Sequence, residues 1–135
     1  MGLSIAIQMD KVESLQVAGD TTFALGLEAQ KRGHTLWYYT PDLLSLNEGV
    51  VCARGQELKF YDRVGAHFKT GPTTIKSLQD FDIILMRQDP PFDMAYITAT
   101  YLLEMLGPQT MVVNNPAEVR NAPEKVFVTL YPDLM

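Results

Sequence analysis

Polar side chains able to bind an amino-acid-like ligand follow two separate apolar segments of the chain. The segments are residues 3–9 and 81–86, and each has the continuous apolar pattern of a strand buried on both faces. Because a guanidinium can bind a carboxylate through two parallel hydrogen bonds and carboxylates can hold an ammonium group, the two sets together suit a zwitterionic ligand. The candidate residues are Asp10 and Ser14 after the first segment, and Arg87, Gln88, Asp89 and Asp93 after the second.

The same residues also have an ordinary structural interpretation. Arg87 and Asp89 could pair with each other, and Asp93 could do no more than cap the helix that follows it. Residue spacing does not choose between a ligand site and this arrangement, so both interpretations stay open at this point.

The first candidates are expected at the edge of a parallel sheet. Residues 3–9 predict a strand, Asp20 is placed to cap a helix that ends at Gly33, and residues 36–39 predict a second strand. A strand-helix-strand order implies parallel strands, and open α/β sheets bind ligands outside the carboxyl ends of their strands. The residues expected on the inward face of the helix are Phe23, Ala24, Leu27 and Ala29.

The second candidates are expected at the same edge, between another strand and another helix. In the loop 87–92 two prolines prevent further sheet pairing. Asp93 is placed to cap a helix that closes at Gly107 and Pro108, and residues 110–113 predict a further strand. The inward residues expected in this helix are Ile97, Tyr101, Leu102, Met105 and Leu106.

The remaining segment, residues 43–74, has a different pattern. Its short runs, such as 50–53 and 58–61, are separated by Gly49 and Gly55, which predict a small antiparallel hairpin inserted at the sheet edge. The expected fold is therefore α/β, with a three-layer, open, mostly parallel, Rossmann-like sheet and a small antiparallel hairpin insertion.

Composition and charge restrict the function classes. A chain of 135 residues with 47% hydrophobic and 20% charged residues has the size and balance of one soluble globular domain. The net charge of -5 argues against DNA or RNA as a partner, because nucleic-acid binding depends largely on Lys and Arg at the phosphates. The start of the chain has no signal-peptide pattern and no membrane-spanning run, so a cytoplasmic location is expected, and the apolar end at Met135 suggests a truncation.

Several common chemical motifs are missing from the sequence. The loop after the first strand lacks the glycine-rich turn of a dinucleotide site, and no GxxxxGK[ST] phosphate loop occurs. His34 and His67 are isolated from possible co-ligands, so a zinc site is not expected. The single cysteine, Cys52, cannot form an internal disulfide, and its place in a strand favours packing over catalysis.

Three separated segments resemble those of bacterial glutathione synthases, in the same order. The first is Ala6-Ile7-Gln8-Met9-Asp10, the second runs from Arg87 through the two prolines to Thr100, and the third is residues 115–125. The resemblance covers essentially the whole chain. It corresponds to the leading, pre-ATP-grasp portion of a family member, which then continues into an ATP-grasp fold.

The resemblance implies ATP-dependent ligation of γ-glutamylcysteine to glycine, with Mg (or Mn) ions and an acyl phosphate intermediate. Residues 1–135 would be the N-terminal substrate-binding domain, with the hinge beginning near 115–135, and a homo-oligomer is expected. No catalytic or metal residue is expected in this chain, which alone should be inactive and bind no cofactor. The resemblance assigns Lys125 to the nucleotide phosphates, and it assigns substrate binding to Asp10, Ser14, Arg87, Asp89 and Asp93.

Two alternatives remain beside this interpretation. One is a related ATP-grasp ligase that joins a different amino acid to a carboxylate, against which the stretch 87–100 argues. The other is a standalone, non-catalytic carboxylate-binding or oligomerisation module.

Overall fold

The computed structural model describes residues 2–15, 19–63, 66–88 and 93–121. Within these ranges the chain alternates short strands with three α-helices. The elements are β1 (Ser4–Gln8), α1 (Thr21–Lys31), β2 (Thr35–Tyr39), β3 (Leu44–Asn47), β4 (Val50–Phe60), β5 (Phe68–Thr70), β6 (Thr74–Ser77), β7 (Ile83–Met86), α2 (Met94–Glu104), β8 (Met111–Val113) and α3 (Pro116–Asn121).

The strands form one curled sheet with the order β3-β4-β2-β1-β7-β8. Strands β2, β1, β7 and β8 are parallel, with Ala6 of β1 opposite Trp37 of β2 on one side and Ile84 of β7 on the other. The crossover from β1 through α1 to β2 is the one that the sequence predicts. The expected fold class, a mostly parallel Rossmann-like α/β domain, is confirmed.

The predicted antiparallel hairpin is present at the sheet edge, where β3 pairs with β4 through a turn at Gly49, whose φ is 80°. Its detail differs from the prediction. The runs 50–53 and 58–61 do not pair with each other, because Val50–Phe60 is one continuous strand, β4. One half of β4 pairs with β3 and β6, and the other half pairs with β2 and β5. Gly55, in the middle of β4, marks a close approach of its backbone to Trp37 and not a turn. Cys52 is half-buried in this strand, as expected for a packing residue.

Two apolar clusters, one on each face of the sheet, complete the layers. Because side chains alternate along a strand, neighbouring residues of β1 enter opposite clusters. One cluster includes Ala6, Trp37, Tyr39, Ile84, Met86 and Leu103 of α2. The other includes Ile5, Ile7, Met9, Leu36, Tyr38 and Phe23 of α1.

The predicted boundaries of α1 are confirmed. The Asp20 carboxylate accepts the Phe23 N–H at 3.2 Å, and Gly33 follows the helix in the left-handed conformation, with φ of 86°. Phe23 is buried and faces the sheet, whereas Ala24 is exposed and its predicted inward position is wrong. Gly26 lies inward instead, because the Phe60 ring occupies the space beside it.

The predicted start of α2 is confirmed, but part of its predicted inward face is wrong. The Asp93 carboxylate accepts the Tyr96 N–H at 3.0 Å, and Leu103 is buried in the core. Tyr101 is 56% exposed and Met105 is 52% exposed, although the sequence pattern placed both inward. Among the described residues, no helix is long and apolar enough to cross a membrane.

Tyr101 lies on the face of α2 opposite the buried Leu103, where α3 packs beside it. The Arg120 guanidinium of α3 lies over the Tyr101 ring, 3.9 Å from its centroid, and forms an ion pair of 2.6 Å with Glu104. It also donates to the Thr100 hydroxyl at 3.2 Å. The ring of Tyr101 thus binds the next helix and not the sheet.

Candidate functional site

A small polar pocket lies at the carboxyl ends of β1 and β7, where open α/β sheets bind ligands. Its volume is about 260 Å³. Three residues predicted from the sequence, Asp10, Ser14 and Arg87, line it together. The other lining residues are Met9, Leu15, Gly19, Asp20, Thr21 and Thr22.

The turn after β1 supplies Asp10 and Ser14. The strand pairing continues through Met9, whose N–H donates to the Tyr39 carbonyl at 3.2 Å, and the chain then enters a 3-10 turn over Val12–Ser14. Val12 is fully buried and anchors this turn on the apolar core. The Ser14 hydroxyl donates to the Lys11 carbonyl at 2.6 Å, so it already stabilises the turn while it lines the pocket.

Arg87 reaches the pocket from the neighbouring strand. Its N–H donates to the Gln8 carbonyl at 2.7 Å, which ties the end of β7 to the end of β1. Its Nε donates to the Thr22 hydroxyl at 3.2 Å, so the guanidinium lies beside the first turn of α1. A guanidinium has five N–H donors in a planar fork, and the bond to Thr22 uses one of them.

The pocket combines both signs of charge. Arg87 and the amino end of α1, which carries a partial positive charge, line it together with Asp10 and Asp20, of which Asp20 caps that helix end. This mixture is suited to a group that carries a carboxylate and an ammonium. The volume is just below the usual range for small-molecule sites, and it fits the amino-acid end of a larger ligand better than a whole cofactor.

Asp93, another predicted site residue, does not line this pocket. Asp93 is exposed and caps α2, in agreement with the structural interpretation that the sequence left open. Asp89 and Lys125 lie outside the described residues, and a substrate role for any of the predicted residues stays a prediction.

Sequence reasoning missed Thr22, and it assigned Asp20 only to helix capping. Thr22 is buried and holds Arg87, and Asp20 lines the pocket as well as capping α1. A signal for both was present, because a helix that follows a parallel strand begins at the carboxyl edge of the sheet. Polar residues in its first turn are therefore near any ligand bound there.

A hydrogen-bonded chain of buried side chains crosses the sheet behind the pocket. The Tyr39 hydroxyl donates to Gln8 Oε1 at 2.8 Å, and Gln8 Nε2 donates to Gln88 Oε1 at 2.6 Å. Gln8 is 0% exposed, Tyr39 is 1% exposed and Gln88 is 8% exposed. Burial raises the pKa of the Tyr39 hydroxyl far above its ordinary value, so the hydroxyl remains a donor.

The raised pKa of Tyr39 predicts a loss of stability in alkali. An unfolded tyrosine ionises near pH 10 while buried Tyr39 stays protonated, so its contribution is fully present below about pH 10 and is lost above it. We expect Tyr39→Phe to be less stable than the wild type at neutral pH, by about 1 kcal/mol. Its free energy of unfolding should then fall less steeply above about pH 10, by about 1.4 kcal/mol per pH unit. Urea denaturation at several pH values around pH 10 measures how the free energy of unfolding of each protein depends on pH. Parallel pH dependences in the wild type and Tyr39→Phe would contradict a raised pKa of Tyr39.

The histidines lie away from the pocket. His34 Nδ1 accepts the Leu3 N–H at 2.9 Å near the amino ends of the strands, and His67 packs edge-on against Phe23 and Phe68. In the described part of the chain, no group of three or more His, Cys, Asp or Glu side chains is close enough to hold a metal ion.

Comparison with known proteins gives one consistent family. A family model described as the N-terminal domain of prokaryotic glutathione synthetase matches residues 3–120. The glutathione synthetase of Brucella melitensis is 56% identical over 135 residues, which is 100% of this chain and 43% of that protein. That of Mesorhizobium japonicum is 55% identical with the same coverage, and that of Coxiella burnetii is 37% identical over 98% of this chain and 41% of that protein.

The chain thus spans less than half the length of these relatives, all of which are named glutathione synthetase. The match covers β1 to α3 and includes both strand ends that form the pocket. The resemblance seen in the sequence is confirmed, and the chain belongs to the prokaryotic glutathione synthetase N-terminal domain family.

Proposed function

We propose that this chain is the substrate-side part of a glutathione synthetase that ligates γ-glutamylcysteine to glycine with ATP, through an acyl phosphate. The family match and the names of the relatives support the parent activity. The observation that carries the role of this chain is the meeting of Asp10, Ser14 and Arg87 in one pocket at the strand ends.

The proposed ligand of the pocket is the γ-glutamyl end of the dipeptide. This end carries an ammonium and a carboxylate on one carbon, and the pocket has positively and negatively charged side chains. Arg87, together with the amino end of α1, would bind the carboxylate, and Asp10 would accept the ammonium. The hydroxyl of Ser14 would donate to or accept from the same group.

The nucleotide and the metal ions are proposed to bind mainly outside this chain. Phosphoryl transfer depends on cations and phosphate-binding groups held in position, and the relatives are more than twice as long as this chain. Lys125 remains the proposed contact to the phosphates, and Asp89 and Asp93 remain proposed substrate contacts. We further propose a cytoplasmic homo-oligomeric enzyme, of which this chain alone does not form glutathione.

Titration of the ¹⁵N-labelled chain with reduced γ-glutamylcysteine, followed by NMR, tests the substrate role. We expect saturable shifts at the backbone N–H groups around the pocket, at Asp10, Ser14, Thr22 and Arg87. Cysteinylglycine, which lacks the γ-glutamyl end, is the matched control ligand and should cause much smaller shifts. Equal shifts with both ligands, or none with either, would contradict the proposal.

A chimaera tests the parent activity. This chain would replace the corresponding leading part of the Brucella melitensis glutathione synthetase, to which it is 56% identical. We expect the chimaera to form glutathione from γ-glutamylcysteine, glycine and ATP, and the 135-residue chain alone to form none. The same exchange with the leading part of the Mesorhizobium japonicum enzyme is the control for the junction. An active control beside a folded but inactive chimaera of this chain would refute the parent activity.

A further inference from the structure

Three buried polar side chains link three neighbouring strands where those strands leave the sheet. Tyr39 ends β2, Gln8 ends β1, and Gln88 follows the end of β7. Gln8 is the central member, because its amide oxygen accepts from Tyr39 and its amide nitrogen donates to Gln88. We call these three hydrogen-bonded side chains, Tyr39, Gln8 and Gln88, the link; its hydrogen bonds are donated in one direction, from Tyr39 to Gln88.

These groups lie in an apolar cluster, where polar side chains are costly. Tyr39 belongs to the cluster that contains Met86 and Leu103 of α2. A buried amide or hydroxyl loses its bonds to water, and an apolar side chain of similar shape would fill the same space without that cost. A hydrogen-bonded chain gives what apolar packing does not, namely fixed distances and directions between the strands.

The link is connected through the backbone to the residues that line the pocket. Gln8 immediately precedes Met9 and Asp10, and Gln88 immediately follows Arg87. The Arg87 N–H donates to the Gln8 carbonyl at 2.7 Å, and the Met9 N–H donates to the Tyr39 carbonyl at 3.2 Å. Displacement of either glutamine thus shifts one of the two backbone segments that carry Asp10 and Arg87.

The link and the Arg87 side chain lie on opposite faces of the sheet, because successive side chains of a strand point to opposite faces. Arg87 extends to Thr22 of α1, whereas Gln88 bonds to Gln8 on the face covered by α2. Because Arg87 and Gln88 are consecutive, a hydrogen bond that fixes the direction of the Gln88 side chain also fixes that of the Arg87 side chain on the other face. The link can hold the pocket residues in place without touching a ligand in the pocket.

We propose that Tyr39, Gln8 and Gln88 are positioning residues that hold the ends of β1 and β7 in the arrangement the pocket needs to bind its ligand. The effect on γ-glutamylcysteine rests on the proposed function. The effect on the two strand ends does not, since it follows from the hydrogen bonds alone.

The test removes the whole link at once, in the triple variant Tyr39→Phe, Gln8→Leu and Gln88→Leu. Because no partner is left buried and unpaired, the free energy of unfolding should stay close to that of the wild type. We expect hydrogen-exchange protection of the Met9 and Arg87 N–H groups to fall about tenfold, and the Kd for γ-glutamylcysteine to rise about tenfold. Tyr39→Phe alone, which removes one hydroxyl, gives the same test with a smaller shift if the triple variant does not fold.

Thr110→Val is the matched control, at the amino ends of β7 and β8 and therefore at the opposite end of β7 from Gln88. It deletes a buried bond in which the Thr110 hydroxyl donates to the Phe81 carbonyl at 2.9 Å. We expect it to lower stability without changing the protection of Met9 and Arg87 or the Kd. A link variant with wild-type protection at both groups, or with a wild-type Kd, would overturn the inference. If the wild type binds no γ-glutamylcysteine, the proposed function fails, and the exchange measurement still decides whether the link holds the strand ends.

Discussion

Replacement of Arg87 by glutamine should weaken γ-glutamylcysteine binding about 30-fold, or by about 2 kcal/mol. The reason is that the guanidinium supplies a positive charge to the pocket, and glutamine offers neither a charge nor a bidentate fork to a carboxylate. The Kd of Arg87→Lys should lie between those of the wild type and Arg87→Gln, because lysine keeps the charge and loses the planar fork. The Kd from NMR titration of the 135-residue chain measures the effect.

The matched control for this prediction is Arg32→Gln at the end of α1. The Arg32 side chain is 70% exposed and forms an ion pair of 3.0 Å with Glu28 on the helix surface, far from β7 in the sequence. An exposed ion pair contributes little to stability, so the control should change neither the Kd nor the free energy of unfolding by more than about 0.5 kcal/mol. A wild-type Kd in both Arg87 variants would remove Arg87 from the proposed site.

Local chemistry explains which parts of the fold could be predicted from the sequence. The caps at Asp20 and Asp93 and the stop at Gly33 depend on a few neighbouring residues, and all three are confirmed. The parallel pairing of β1 with β2 also follows from local pattern, since the connection through a helix allows few other arrangements.

The predictions that were wrong depend on contacts between segments that are distant in the sequence. Gly55 looks like a turn residue in the sequence, but β4 continues through it as one strand, with the indole of Trp37 packed beside it. Tyr101 fits an inward helical face by its apolar ring, but the face of α2 that carries Leu103 is the buried one, and the Tyr101 ring packs against Arg120 of α3. Neither partner can be identified from the spacing of apolar residues.

The candidate site also has features that the sequence predicts and features that it does not. Asp10, Ser14 and Arg87 meet because each follows a parallel strand whose carboxyl end must lie at one edge. Whether a side chain faces α1 or α2 depends on strand register, which the sequence pattern of a doubly buried strand does not reveal. This is why Gln88 could be placed near Arg87 but not assigned to the opposite face.

Gly55 lies where the backbone of β4 closely approaches β2. An ideal Cβ atom at this position would contact the Tyr38 carbonyl oxygen and lie 2.7 Å from Trp37 Cη2. Trp37 is 2% exposed and its ring packs against Phe81, with the ring centroids 5.1 Å apart. Neither the backbone nor the indole can move without disturbing the pairing of β4 with β2.

We therefore expect Gly55→Ala to lower the free energy of unfolding by about 3 kcal/mol, because close-packed cores do not absorb an added methyl group at this distance. Urea denaturation followed by the fluorescence of Trp37, the single tryptophan, measures the loss at the site itself. Gly71→Ala is the matched control, since its nearest contact, Glu57 Cβ at 3.5 Å, is ordinary van der Waals packing. Its effect should stay within about 1 kcal/mol. Equal losses in the two variants would mean that the sheet accommodates a methyl group between β4 and β2, and that the close approach at Gly55 does not require glycine.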